Sequence, residues 1–251
     1  MTLSSISAYA VQTDRQRKHG GGIGRSGKSF QKHDAISRLM NRQLPVLAKM
    51  GRGIIIDMHA GDGRDTPHIQ PDFFSGGALI TTPHLAIVAG RKFGADVWLC
   101  ERSHGPRAAL VHDYGNDAEI LRNHTTLNSR LDEIAAAPWV MVLNDPNGHG
   151  AHGVETMQAI AGANRRSDFI VVVNHQSLTR HLAVGKSDNT GNAFALRVEA
   201  AKSKYAWMLD SGKWASTLGK RQFIDTAPMH LSNEMTAVIV LCSNWIAGYG
   251  R

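Results

Sequence analysis

Asp57, Glu101 and the segment at residues 144–147 each come directly after a short run of apolar residues. Apolar runs of this length are typical of strands in a parallel sheet whose two faces are both covered. The carboxyl ends of such strands meet at one edge of the sheet, where ligands bind. We therefore expect these three groups of polar side chains to form one ligand site.

The residues after Asp57 form a glycine-rich turn with the spacing Asp-x-x-x-Gly-x-Gly, through Gly61 and Gly63. Glycine lets the backbone approach a ligand closely. Thr66 stands where a dinucleotide fingerprint has its third glycine, which disfavours a nicotinamide or flavin cofactor. A turn with two glycines suits the smaller S-adenosylmethionine, with Asp57 placed to engage the ammonium of that ligand.

Two further residues of this turn, His59 and Ala60, are predicted to contact the cofactor. The alternative for His59 is a hydrogen bond to the local backbone. Glu101, at the end of the next apolar run, is positioned to accept hydrogen bonds from both ribose hydroxyls. The alternative for Glu101 is a solvated side chain paired with Arg102 or Arg107.

Asp57 and Glu101 are 44 residues apart, whereas a compact unit separates such residues by ~20. Residues 64–77 have the composition of a loop. We expect this loop to be an insertion that covers the cofactor or shapes the substrate entrance.

The segment Asn144, Asp145, Pro146 and Asn147 is the predicted reaction centre. Methylation of an exocyclic amine requires acceptors for the amine hydrogens and a rigid turn that makes them converge. Asn144 or Asp145 can supply the acceptor, and Pro146 the rigidity. The alternative is an ordinary Asp-Pro-Asn-Gly turn after a strand.

Taken together, these motifs resemble those of class I S-adenosylmethionine-dependent methyltransferases. The Asn-Asp-Pro group is similar to the Asp/Asn-Pro-Pro-aromatic motif of the amino-group nucleic-acid enzymes, which implies an exocyclic amine as the acceptor and adenine in DNA as the first choice. Asn147 replaces the second proline and Gly148 the aromatic residue. This departure motivates the alternative of a catalytically silent methyltransferase-like module that binds nucleic acid or a protein partner.

The chain also resembles the three-Cys-motif partner proteins of bacterial mobile and defence loci. The features concerned are Lys32-His33, the turn from Asp57 to Gly63, and Asp145 to Gly148. This resemblance implies the same fold and cofactor, and it places the silent module within such a system.

The predicted fold class is α/β, a Rossmann-like methyltransferase fold with a mostly parallel sheet, a C-terminal antiparallel hairpin and helices on both faces. Residues 1–29 are expected to form a flexible basic arm, and residues 30–251 a single domain with insertions at 64–77 and 178–221. Apolar residues at helical spacing predict a helix at residues 36–47, with Pro45 kinking or dividing it. Further helices are predicted at 79–93 and 153–163, and further strands at 168–174, 222–225 and 235–244.

The chain is basic, with 28 Lys and Arg against 21 Asp and Glu, a net charge of +7 and a pI of about 9.6. A polyanionic partner is therefore plausible, and the resemblance to the amino-group enzymes implies nucleic acid as that partner, with DNA before RNA. Residues 186–221 combine basic residues with Phe194, Tyr205, Trp207 and Trp214, which suits phosphate binding and base stacking, although aromatic residues at helical spacing also suit a core. The predicted nucleic-acid-binding residues are Arg25, Lys28, Lys202, Lys204, Lys213, Lys220 and Arg221.

Residues 22–29 match the P-loop pattern, which leaves a nucleotide hydrolase as a third hypothesis. The basic residues 14–19 cannot form the buried strand that a P-loop requires. No metal site is predicted, because the pairs His149 with His152 and His175 with His181 lack a third ligand. Cys100 and Cys242 lie in apolar runs and read as reduced core thiols. No signal pattern or long apolar run is present, and we expect a soluble, cytoplasmic protein.

Overall fold

The computed structural model describes residues 29–63, 81–146, 153–174, 211–219, 222–230 and 236–244. The strands in chain order are β1 (Ile54–Asp57), β2 (Asp96–Cys100), β3 (Glu119–Leu121), β4 (Val140–Asn144), β5 (Ser167–Asn174), β6 (Gln222–His230) and β7 (Thr236–Ser243). The α-helices are α1 (Ser29–Leu47), α2 (Thr82–Phe93), α3 (His104–Tyr114), α4 (Leu131–Ala136), α5 (Val154–Ala163) and α6 (Ser211–Thr217). Two short 3-10 helices are also present, one after α1 at Ala48–Met50 and one after β3 at His124–Arg130.

The strands form one sheet in the order β3-β2-β1-β4-β5-β7-β6. The first five strands in the chain run parallel, while β7 is antiparallel to both β5 and β6. This arrangement confirms the predicted Rossmann-like methyltransferase fold with its C-terminal antiparallel hairpin. The chain runs outward from β1 to β3 and then returns to β4 beside β1. The strand order therefore reverses between β1 and β4, the place where open α/β sheets bind ligands.

Side chains alternate between the two faces of the sheet, and helices cover both. On the first face, Ile55 and Met141 pack in one apolar cluster with α1, α2 and α3. On the second face, Ile56 and Val142 pack in another cluster with α4, α5 and α6. Because both faces are buried, the central strands are apolar at every position before their ends, as expected for a parallel sheet.

Most predicted elements are present, with some differences in extent. The first helix continues to Leu47, so Pro45 does not divide it. Helix α2 begins at Thr82 rather than at residue 79, because Thr81 has an extended backbone and Pro83 lies in the first turn. Strand β6 continues to His230, five residues beyond its predicted end.

Four elements between residues 101 and 139 were not predicted, namely α3, β3, the 3-10 helix His124–Arg130 and α4. Strand β3 has three residues with a mixed burial pattern, so it carries no apolar run, and α3 buries only Leu110 fully. Helix α4 is only six residues long. Elements this short, or with so little buried surface, leave a weak periodic pattern.

Several other expectations concern residues outside the described ranges. They include the basic arm at residues 1–28, the insertion at 64–77 and most of the insertion at 178–221. Cys100 and Cys242 are both buried, and neither forms a disulfide. In the part of the chain that the structure describes, no helix has both the length and the apolar character that crossing a bilayer requires.

Candidate functional site

The reversal point between β1 and β4 brings Asp57 close to Asp145. The two strands are in register with Asp57 opposite Leu143, and the amide of Met58 donates to the Leu143 carbonyl at 3.0 Å. Asp145 is two residues beyond Leu143, which belongs to the cluster on the first face. The period of two along a strand therefore places Asp145 toward the same face as Asp57, and Asn144 toward the other.

Asp57 is fully buried, and its carboxyl group is incompletely paired. Oδ1 accepts a hydrogen bond from the His59 amide at 3.0 Å. No donor among the described residues meets hydrogen-bond geometry at Oδ2, although the Thr82 hydroxyl is close enough to affect the group. Burial raises the pKa of Asp57 to about 7, with Thr82 and the His59 amide opposing the shift.

Lys32 of α1 forms an ion pair with Asp145, with Nζ 2.5 Å from Oδ2. Both side chains are nearly buried, at 15% and 12% exposure. The charges of both also act on Asp57: Asp145 raises its pKa and Lys32 lowers it. These three residues form one charged cluster, which we call the Lys32 cluster. The resemblance to the three-Cys-motif partner proteins includes both Lys32 and Asp145, but no local pattern indicates that the two side chains contact each other, because they lie on distant elements.

The glycine turn is held against the end of β2. The Ala60 amide donates to the Cys100 carbonyl at 3.0 Å, and the Gly61 amide donates to Glu101 Oε2 at 3.0 Å. Gly61 has φ 65°, and a Cβ built on it meets no atom within 4 Å. Among the described residues, the space in front of Gly61 is therefore open.

Gly63 differs from Gly61 in its surroundings. Its φ is 67°, and a Cβ there would lie 2.6 Å from the ring of Tyr114. The hydroxyl of Tyr114 also donates to the Gly63 carbonyl at 3.2 Å. Gly63 is thus fixed by contact with α3, whereas Gly61 faces the open side of the turn.

The carboxylate of Glu101 is fixed by backbone amides. Besides Gly61, the Ser103 amide donates to Oε1 at 2.6 Å. Arg107 donates to the backbone carbonyl of Glu101 at 3.3 Å, so it does not form the carboxylate pair that was the alternative in the sequence. A carboxylate oxygen accepts more than one hydrogen bond, so both oxygens of Glu101 retain acceptor capacity.

His59 lies on the side of the turn nearest His124, in the 3-10 helix after β3. The two ring centroids are 5.1 Å apart with the planes tilted by 60°. Gly153, which begins α5, packs against both His124 and Met58. Burial lowers the pKa of His124; Glu155 opposes this shift and Arg102 adds to it. The histidine pair therefore joins the turn to the amino-terminal end of α5.

The described residues of the predicted reaction centre do not all lie together with Asp145. Asn144 is 1% exposed, and its amide donates to the sulfur of Met157 in α5 at 3.3 Å. Pro146, two residues after Asn144, is also buried. Asn147 lies outside the described residues. Of the two acceptors proposed from the sequence, Asp145 lies with Asp57, while Asn144 packs in the interior on the other face.

The predicted nucleic-acid residues are mostly outside the described ranges. Only Lys213 is described, and it is exposed on α6. The adjacent Trp214 is fully buried in the apolar cluster of the second face. Its expected stacking on a base is therefore wrong, because the ring contributes to the core instead. Of the P-loop match, Ser29 is described, as the first residue of α1.

No protein-family model matches this chain, and no curated protein matches it in sequence. Solved structures similar to it include a protein of Legionella pneumophila strain Philadelphia 1, at 15% identity and a TM-score of 0.44, covering 90% of this chain and 86% of that one. Another is the fibrillarin pre-rRNA processing protein of Methanococcus jannaschii, at 10% identity and a TM-score of 0.42, covering 77% and 68%.

A third similar structure is a 16S rRNA adenine methyltransferase of Catenulisporales acidiphilia, at 12% identity and a TM-score of 0.40, covering 83% of this chain and 92% of that one. Likenesses this distant carry no conclusion about substrate or activity. The fold of this chain is established by its own strand order and directions.

Proposed function

We propose that this protein is an S-adenosylmethionine-dependent methyltransferase that acts on an exocyclic amine in nucleic acid, with adenine in DNA as the first substrate to test. The observation that supports this proposal is the convergence of Asp57, Glu101 and Asp145. Asp57 ends β1, while Glu101 directly follows β2 and Asp145 directly follows β4, and these three strands are neighbours in the sheet. The carboxyl ends of such strands are where doubly wound sheets bind nucleoside-containing ligands.

The residues at these strand ends suit the methyl donor. Asp57 Oδ2 is a buried acceptor at which no donor among the described residues meets hydrogen-bond geometry, with the Thr82 hydroxyl nearby, and such an acceptor suits the ammonium of the amino-acid portion. The open space at Gly61 admits the ligand close to the backbone. Glu101, fixed by two amides, offers acceptors to a ribose diol. When bound, the donor supplies a methyl group attached to a positively charged sulfur.

On the acceptor side, Asp145 is assigned the role of holding the amine hydrogens. Its Oδ2 contacts Lys32 at 2.5 Å, so Oδ1 is the oxygen that we assign to the amine. An amine needs little deprotonation before attack, so positioning and hydrogen bonding carry most of the acceleration and no strong general base is required. Pro146 is buried directly after Asp145, and its ring restricts the backbone at this point.

One observation favours a second candidate, the catalytically silent module. Asn144 points into the interior and one oxygen of Asp145 is already held by Lys32, so fewer acceptors remain for an amine than the sequence indicated. Together with the departures at Asn147 and Gly148, this arrangement suits a protein that keeps the ligand site and binds nucleic acid or a partner without transferring a methyl group.

Calorimetry followed by transfer of a tritiated methyl group to DNA, RNA and protein tests the proposal. We expect the protein to bind S-adenosylmethionine and to label DNA. Asp145→Ala should abolish labelling and leave donor binding largely intact, because the charge that contacts the acceptor is lost while Asp57 and Glu101 remain. Asp96→Ala is the matched control, because Asp96 begins β2 and so lies at the opposite end of the strand from the site.

Each other outcome has a defined meaning. Donor binding without labelling of any substrate class favours the silent module. Equal loss of binding and labelling in Asp145→Ala would place Asp145 in the donor site. Absence of donor binding by the intact protein would contradict both candidates.

A further inference from the structure

We propose that the ammonium of Lys32 binds the α-carboxylate of the donor's amino-acid portion while Asp57 takes the α-ammonium, so that the Lys32 cluster recognises a zwitterion. This inference rests on the proposed function, because it names a residue of the same site that selects the donor. It concerns a residue on α1, outside the strand ends and the turn that first indicated the site.

The position of Lys32 is the first observation. Its side chain extends from α1 to the reversal point between β1 and β4, where it contacts Asp145 at 2.5 Å. A lysine ammonium has three N–H donors, and this contact uses one of them. The Lys32 side chain as a whole is only 15% exposed. A ligand oxygen is a suitable acceptor for a remaining donor.

The second observation is the balance of charge. The cluster holds two carboxyl groups and one ammonium. At Asp57 Oδ2, no donor among the described residues meets hydrogen-bond geometry, although the Thr82 hydroxyl is nearby. Removing charges from water is costly unless further hydrogen bonds satisfy them. An α-amino acid carries a donor group, the ammonium, and an acceptor group, the carboxylate, on the same carbon atom. It therefore satisfies Asp57 and Lys32 together and adds no net charge.

A purely structural role for Lys32 makes a different prediction. In that case the ion pair only attaches α1 to the end of β4, and the cation has no contact with the ligand. Replacing Lys32 would then lower the affinity for every ligand by the same factor, whether or not the ligand carries a carboxylate. The distinction can be measured by changing the ligand and the protein in the same series.

The experiment is calorimetry of the full chain and Lys32→Met with three ligands. They are S-adenosylmethionine, its decarboxylated form, which keeps the amine, and methylthioadenosine, which lacks both charged groups. We expect the wild type to prefer S-adenosylmethionine over the decarboxylated form by about 10- to 100-fold, the range for a hydrogen bond to a charged group. Lys32→Met should lose this preference, while its affinity for methylthioadenosine stays unchanged.

Two variants complete the design. Lys32→Arg keeps the charge and should retain part of the preference, although its planar group has a different shape. Lys49→Met makes the same substitution at an exposed residue near the opposite edge of the sheet and should leave the preference intact. Thermal unfolding confirms that each variant is folded. If Lys32→Met does not fold, the wild-type ligand comparison and Lys32→Arg decide the question.

Equal affinity of the wild type for S-adenosylmethionine and its decarboxylated form would overturn the inference. So would an equal loss for both ligands in Lys32→Met. Either result leaves the proposed function standing, because the donor still binds. If the wild type binds neither S-adenosylmethionine nor S-adenosylhomocysteine, the proposed function fails and the role of Lys32 fails with it.

Discussion

At the scale of single residues, Asp57 is the most unusual group in the described part of the chain. It is fully buried at the end of a central strand, and its pKa of about 7 leaves the carboxyl only partly ionised near neutral pH. Burial is the main cause, and the nearby Asp145 adds to it. The charge of Asp57 therefore links folding and ligand binding to pH.

The first prediction concerns the stability of the folded state. The folded pKa of Asp57 lies above its ordinary value of 3.8, so the folded state binds the proton more tightly than the unfolded state. This contribution is complete below pH 4 and is lost as the pH rises to 7. We expect the free energy of unfolding of the wild type, relative to Asp57→Asn, to fall by roughly 4 kcal/mol across this range.

Urea unfolding of both proteins from pH 4 to 8 measures this difference. Asp96→Asn, with an exposed carboxyl at the other end of the sheet, serves as the control and should follow the wild type closely. Parallel stability curves for the wild type and Asp57→Asn would show that the pKa of Asp57 is not raised.

At the scale of elements, the site depends on a short turn held between two strands and a helix. Hydrogen bonds from Ala60 and Gly61 fix the turn to the end of β2, and Tyr114 of α3 packs against Gly63. The two glycines share a left-handed backbone, but only Gly63 is packed against side chains. Their substitution by alanine therefore separates packing from ligand contact.

Gly61→Ala should cost about 1–2 kcal/mol of stability from the left-handed conformation alone. Gly63→Ala should cost a further 1–3 kcal/mol or so, because its Cβ would overlap the Tyr114 ring. Donor affinity should show a different pattern, with Gly61→Ala losing binding while still well folded, since its methyl group occupies the open space. Denaturant unfolding and calorimetry measure the two effects; similar stability losses in both variants would contradict this explanation.

At the scale of the whole molecule, a net charge of +7 favours a polyanionic partner. In the structure, the acidic residues of the proposed donor site lie together at the carboxyl ends of the central strands. The residues predicted to contact nucleic acid lie largely outside the described ranges. Binding of nucleic acid would then depend on phosphate contacts from the basic segments. Such contacts release counterions and depend steeply on salt.

We expect the affinity for duplex DNA to fall as salt rises from 50 to 200 mM, as measured by fluorescence anisotropy. Replacing Arg25 and Lys28 by alanine together should make the slope of log K against log salt shallower by about 2, because each phosphate contact contributes roughly 0.9. Lys49→Ala should leave the slope unchanged. If the double variant has the same slope as the wild type, Arg25 and Lys28 do not contact phosphates.

The sequence by itself determined the α/β class, the three central strand ends and the glycine turn. Strands covered on both faces appear as continuous apolar runs, so β1, β2, β4 and β5 could be predicted. The residues that end the runs of β1, β2 and β4 were the candidates for the site. The edge strand β3 was missed because three residues with mixed burial give no such run. Local patterns of this kind depend on neighbouring residues, which a sequence displays directly.

The tertiary structure decided which side chains meet. Because β4 is apolar on both faces, its sequence does not show whether Asn144 or Asp145 turns toward the face that holds Asp57. The register with β1 and the packing of α1 and α5 place Asp145 with Asp57 and Lys32, and place Asn144 against Met157. Packing likewise makes Trp214 a core residue. Contacts between distant elements arise from strand register and helix position, which no local pattern specifies.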